Sequence, residues 1–211
     1  MLKKIVVTGT STEVGKTWVT ARVVESLRAG GREVSARKPV QSFEEGAGET
    51  DAEVLAAVSG ESAETVCPRH RWYQLPLAPP IAAETLGRPP IALADLVREL
   101  RLPGDGLVFI EGVGGPRSPL ADDGDTIELA EGVDADLIIL VAGPELGTIN
   151  ATVLAAEAFG DRPLVVFLNR YDDAAADHVR NREWLDETSG LTVVTDLDTL
   201  RSRLLEATEA G

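Results

Sequence analysis

The chain of 211 residues carries 35 acidic side chains against 20 basic ones, a formal net charge of −15, and so acidic a surface repels nucleic-acid phosphates and anionic lipid headgroups at long range. Hydrophobic residues make up 44%, an ordinary globular share, no apolar run is long enough to span a bilayer, and the length suits one domain over residues 1–211. Cys67 stands alone and His70 and His178 are the only histidines, which excludes an intrachain disulfide and a cysteine- or histidine-rich metal centre, so any metal must be held by oxygen.

Residues 3–8 read as a buried strand. Their apolar run, Ile5-Val6-Val7, stops at Thr8-Gly9 and is too short for a secretory signal, so the expected location is the cytoplasm. A helical pattern over Lys16–Ala29 is stopped by Gly30-Gly31, and residues 33–38 follow as a second strand, a βαβ opening. Further helices are expected at 51–58, 93–100, 148–159, 175–188 and near 199–207. Nearly continuous runs of Ile, Leu, Val and Phe at 107–110, 137–142 and 164–168 read as strands covered on both faces. Strands separated by crossover helices predict an α/β fold with a mostly parallel sheet and helices on both faces. The proline-rich stretch 68–90 reads as irregular connection, and Trp72, Tyr73 and Trp184 as packing anchors.

After the first strand comes Gly9-Thr10-Ser11-Thr12-Glu13-Val14-Gly15-Lys16-Thr17, then the first helix. Glycines let the backbone turn its amides inward, the helix start adds positive potential, and a lysine with a following hydroxyl completes a phosphate-binding nest. The usual spacing puts four residues between the first glycine and Gly-Lys-Thr; here five separate Gly9 from Gly15. Lys16 is expected on the β and γ phosphates and Thr17 on a magnesium ion bridging them. Glu13 is out of place beside a triphosphate, where its charge costs Coulomb energy unless a cation faces it. It therefore points either to a positively charged second substrate or simply to solvent.

Thr12-Glu13-Val14-Gly15-Lys16-Thr17, with this spacing, resembles the phosphate loop of dethiobiotin synthetases, and further matches follow in the family's order. Lys38-Pro39-Val40-Gln41-Ser42 is similar to its Lys-Pro-Val stretch with a downstream serine. Thr50-Asp51 opens a helix where the family has a metal-binding aspartate. Glu111-Gly112-Val113-Gly114-Gly115 resembles Glu-Gly-Ala-Gly-Gly, and Leu146-Gly147-Thr148-Ile149-Asn150 resembles Leu-Gly-Thr-Ile-Asn-His. Asn169 ends a strand where the family has an adenine-reading asparagine. The matches run from about Ile5 to Asn169, and their conjunction is more specific than any one of them.

The resemblance implies a P-loop nucleotide-binding fold, ATP as co-substrate and magnesium as cofactor. It implies ring-closing carboxylation of 7,8-diaminononanoate with CO2 to dethiobiotin, through a carbamate and a carbamic-phosphoric anhydride. Thr17, Asp51 and Glu111 would hold the metal, a sparse oxygen shell of the kind magnesium takes. Gly9, Thr12, Glu13, Val14, Gly15, Lys16, Thr17, Glu111, Gly114 and Asn169 would bind the nucleotide, and Lys16, Lys38, Glu13 and Ser42 would serve catalysis. Ser42, Gly147, Thr148 and Asn150 would bind the diamine substrate, the last three across the interface of a homodimer. On bare residue chemistry, Asp51 also suits a helix N-cap and Lys38 a solvated strand end.

The chain departs from the family at four places, one of them Glu145, which stands where some relatives have lysine. Ala78-Pro79-Pro80 replaces Ser-Pro-His and removes side-chain donors. Ala151 follows Asn150 in place of histidine, and Val194-Thr195-Asp196-Leu197 replaces the segment that packs on the base. Two other readings share the loop. A partition-type nucleotide switch usually carries an additional lysine early in the loop, where this chain has Thr10 and Ser11. A cobyrinate-type amidating ligase carries a glutaminase extension.

Overall fold

The structure, a computed structural model, describes residues 1–46 and 48–209. Its elements in chain order are β1 (Leu2–Gly9), α1 (Lys16–Ala29), β2 (Val34–Arg37), β3 (Gln41–Ser42), α2 (Asp51–Ser59), α3 (Ala63–Val66), β4 (Trp72–Tyr73), α4 (Pro79–Thr85), α5 (Leu93–Glu99), β5 (Gly106–Glu111), α6 (Thr126–Gly132), β6 (Leu137–Ala142), α7 (Thr148–Glu157), β7 (Leu164–Leu168), α8 (Ala176–Glu183), β8 (Val193–Val194) and α9 (Leu197–Glu209). A 3₁₀ turn covers Arg69–Arg71 and a π turn Trp184–Thr188.

The main sheet has six parallel strands in the order β2-β5-β1-β6-β7-β8. Strand side chains alternate between faces, so a strand buried on both faces must be apolar throughout. Val6, Val108, Ile110 and Ile138 enter one core with Ala82, Leu96 and Leu129 of the helices α4, α5 and α6. Their neighbours Ile5, Val7, Phe109, Ile139 and Val141 enter the opposite core, against Val19, Val23 and Leu27 of α1 and Leu200 and Leu204 of α9. The mostly parallel sheet with helices on both faces is therefore as the sequence predicts. Parallel strands also end on one edge, and this brings together Gly9, Lys38, Glu111, Gly143 and Asn169, each at or just past the carboxyl end of a strand.

Three expectations need correction. The stretch 68–90 is not irregular: it holds β4, which pairs in parallel with β3, and α4, which carries proline in its first turn, where no backbone donor is required. The helix expected at 175–188 ends early, continuing as the π turn. Trp184 is 53% exposed and anchors no core, whereas Trp72 and Tyr73 are buried, Trp72 edge-on to Phe43. Helix α6, unforeseen, is opened by a capping box in which Asp125 accepts from Ile127 and Glu128 N–H and Glu128 returns a bond to the Asp125 N–H.

Candidate active site

Residues 10–15 cross from the end of a buried strand to the start of α1, and Thr10 N–H is pinned to Val141 O at 2.9 Å. Gly15 caps the helix with φ 93°, left-handed backbone, and a Cβ there would run into the Asn169 side chain. Only glycine lets Asn169 cross over and donate from Nδ2 to Val14 O at 2.9 Å. Glu13 is also left-handed, φ 61°, which costs a non-glycine residue about 1–3 kcal/mol and is held here by Arg170 Nη2 donating to its carbonyl at 3.3 Å. Its side chain is exposed at the lip of the loop. Lys16 folds back, Nζ to Ser11 O 3.0 Å; burial, with the Lys38 charge nearby, lowers its pKa to about 8.

Beside the loop, four side chains from α1, β5, α2 and the end of β2 converge. Thr17 Oγ1 lies 2.9 Å from Asp51 Oδ1 and 2.8 Å from Glu111 Oε1. Lys38 Nζ lies 2.8 Å from Asp51 Oδ2, 2.8 Å from Glu111 Oε1 and 3.0 Å from Gly112 O. Glu111 is wholly buried and Lys38 is 2% exposed. Burial works against the Lys38 ammonium, but the charges of Asp51 and Glu111 outweigh it and push its pKa up, while the Lys38 charge holds the Asp51 carboxyl below the usual carboxylate range. Thr50 caps α2 through its own capping box with Glu53, so Asp51 is not spent as an N-cap and its carboxylate is left for the cluster.

This donor set fits magnesium. The Thr17 hydroxyl lies against one oxygen of each carboxylate, so three oxygens carried by three separate elements turn toward one another. One hydroxyl and two carboxylates make a shell of the sparse kind that magnesium completes with phosphate and water. No group of three or more His, Cys, Asp or Glu gathers among the described residues, so the shell offers no thiolate or imidazole site.

Thr12, Glu13, Gly15, Lys16, Thr17, Lys38, Ser42, Asp51 and Gly114 line one cavity of about 340 Å³. On the other side of the loop, Thr12, Glu13, Val14, Gly147 and Thr148 line a second of about 300 Å³. The Thr148 hydroxyl is spent on Gly143 O at 2.6 Å and its N–H on Glu145 O at 3.0 Å, so an anion there would meet the amides of α7 that follow Thr148. Asn150 is exposed and lines neither cavity within one chain, and the Asn169 amide is engaged on the loop. A cavity of about 930 Å³ lies away from the loop, and its cations already have partners. Arg71 and His70 meet Glu99, Arg88 donates to the His70 and Trp72 carbonyls, and Arg69 sits 4.3 Å from the centre of the Trp72 ring.

Two positioning residues are not singled out by the sequence motifs. Thr20 Oγ1 lies 3.0 Å from Glu111 Oε2 and 2.9 Å from Lys16 O, and Gln41 Oε1 accepts from Ala52 N–H at 3.0 Å, fixing the start of α2. The available signal for Thr20 is a second hydroxyl one helical turn after Thr17, on a face otherwise filled by Val19, Val23 and Val24.

A glycine-rich loop entering a helix, next to carboxylates at the carboxyl edge of a parallel sheet, defines a P-loop nucleotide-binding protein. A family profile described as an AAA domain matches residues 3–203. The fold is shared with the septum site-determining protein MinD from Pyrococcus horikoshii, solved with Mg-ADP (TM-score 0.52, 18% identity, 98% of this chain and 86% of that one). It is shared also with the signal recognition particle receptor FtsY from Elizabethkingia anophelis (TM-score 0.54, 14% identity, 90% and 57%). In sequence the chain is similar to proteins named ATP-dependent dethiobiotin synthetase. The match is 40% identical with that of Rhodococcus jostii over 73% of this chain and 66% of that one, and 38% with that of Haloferax mediterranei over 90% and 81%. It is 35% with that of an Anaeromyxobacter species over 96% and 97%. The chain belongs to the ATP-dependent dethiobiotin synthetase family.

Proposed function

We propose that the protein, acting as a single 211-residue domain in the cytoplasm, closes the ureido ring of dethiobiotin. One amine of 7,8-diaminononanoate captures CO2 as a carbamate. A carbamate oxygen attacks the γ-phosphorus of ATP and ADP leaves. The second amine then attacks the carbon of the mixed anhydride, loses a proton and expels phosphate. The observation that carries the reading is the convergence of Thr17, Lys38, Asp51 and Glu111 within hydrogen-bonding distance beside the phosphate loop.

No covalent enzyme intermediate is required, so catalysis is positioning and electrostatics. Lys16 and the loop amides hold the phosphates. Lys38, next to Ser42 in the same cavity, stabilises charge on the transferring group, while the Ser42 hydroxyl orients the carbamate. Glu13 at the lip offers its carboxylate to the cationic diamine. Thr17, Asp51 and Glu111 hold magnesium, which when bound offsets charge on the phosphates. The start of α7, from Gly147 to Asn150, receives the substrate carboxylate in a homodimer. Leu146, just before α7, and Leu154, on it, are 99% and 59% exposed, and exposed apolar side chains on both sides of Asn150 support an interface there.

The test is ADP release measured with diamine and bicarbonate supplied together and singly. Release should require both, and an ¹⁸O label carried by bicarbonate should appear in the phosphate, because a carbamate oxygen becomes a phosphate oxygen. ATP hydrolysis indifferent to diamine and bicarbonate rejects the reading and favours a nucleotide switch.

A further inference from the structure

We propose that Lys38 is a placeholder cation, its ammonium occupying in the nucleotide-free protein the position between Asp51 and Glu111 that the divalent metal takes, so that the triphosphate must draw it away before metal binds tightly. The inference rests on the reading of Thr17, Asp51 and Glu111 as the metal's holders.

The geometry is specific. An ammonium has three protons, and those of Lys38 face Asp51 Oδ2, Glu111 Oε1 and Gly112 O at 2.8, 2.8 and 3.0 Å. Magnesium bonds its oxygens at about 2.0–2.1 Å, so an ion seated on these two carboxylate oxygens from the side the ammonium fills, 2.8 Å from each, would overlap the nitrogen. Charge points the same way. Asp51 and Glu111 are matched by Lys38 and Lys16, which lies close enough to feel all three. A metal ion arriving alone must evict a buried ammonium with no new partner for it, which is costly. A triphosphate on the neighbouring loop gives that ammonium an anionic partner and frees the carboxylates together. Metal and triphosphate therefore bind cooperatively, through a side chain that touches both places in turn.

Mn²⁺ titration followed by electron paramagnetic resonance, on nucleotide-free protein and with a non-hydrolysable ATP analogue, tests this with wild type, Lys38→Met and Lys38→Arg. Nucleotide-free wild type and K38R should bind Mn²⁺ weakly, and K38M about 10- to 100-fold more tightly, within the usual range of coupling between sites. The analogue should tighten Mn²⁺ binding strongly in wild type and much less in K38M. If K38M is unfolded because two carboxylates have lost their partner, Mn²⁺ should restore its fold by taking the ammonium's place. Nucleotide-free K38M that binds Mn²⁺ no better than wild type, or that Mn²⁺ fails to refold, overturns the inference and leaves the ligase reading intact. Wild type that binds no Mn²⁺ even with the analogue overturns the metal site itself.

Discussion

Glu111 joins both halves of the site, for its two oxygens meet Thr17 and Lys38 on one side and Thr20 on the other, with no exposure to solvent. A buried carboxylate is tolerated only when it is paired and hydrogen-bonded. Groups that orient a metal-holding side chain usually matter to metal affinity by about 10- to 100-fold. Thr20→Val keeps the shape of the side chain and removes the hydroxyl, so Mn²⁺ affinity in the presence of an ATP analogue should fall by about that factor. An unchanged affinity would mean that Thr20 only packs. Cys67 makes a second prediction at this scale. Burial pushes its thiol up to about 12, and only the thiolate reacts, so the native protein should resist a thiol-specific disulfide reagent at pH 8 and react promptly once unfolded.

Among the elements, α2 shows how local chemistry delivers a functional group. Thr50 and Glu53 form a capping box, which keeps the helix start in place and leaves the neighbouring Asp51 facing Thr17 and Lys38. Thr50→Ala should lower stability by about 1 kcal/mol in urea unfolding, the usual cost of a lost N-cap, and weaken metal binding along with it. The link between α5 and the segment before β4 is electrostatic. Arg71 hydrogen bonds hold the Glu99 carboxyl below its usual range, so this stability is present above the unfolded carboxyl's pKa and is lost as pH falls through the lower folded value. Glu99→Gln should therefore lower Tm at pH 7, and the gap from wild type should narrow below about pH 4. On α7, Leu154→Asp should shift the protein toward monomer in sedimentation velocity if that face forms the proposed interface.

At the scale of the whole molecule, a net charge of −15 on 211 residues repels itself, and salt screens that repulsion with a Debye length of about 3 Å at 1 M. Tm should rise between dilute buffer and about 0.5 M KCl; a fall would show that ion pairs such as Arg71–Glu99 outweigh the net repulsion. The fold was legible where burial imposes a period. Helix α1 and strands β6 and β7 have the bounds expected from their apolar patterns, because a helix face or a two-sided strand must repeat its hydrophobic spacing to stay buried. Of the elements of two to four residues, β2 was expected from the βαβ opening, but β3, β4, β8 and α3 have no room for a period and exist through their neighbours, as β3 does by pairing with β4. Helix α6 was readable in principle from its capping box at Asp125 and Glu128.

The chain alone determined the phosphate loop, the parallel α/β framework and the identities of the charged groups near that loop, because each depends on local spacing or on a short motif. Only the tertiary structure decided that Lys38 lies on the two carboxylates, that Asn169 reaches back across Gly15, that Thr20 supports Glu111 and that Trp184 faces solvent. These depend on which strand ends become neighbours and which way long side chains turn once the sheet is closed. Such contacts join residues far apart along the chain, and no window of sequence contains both partners.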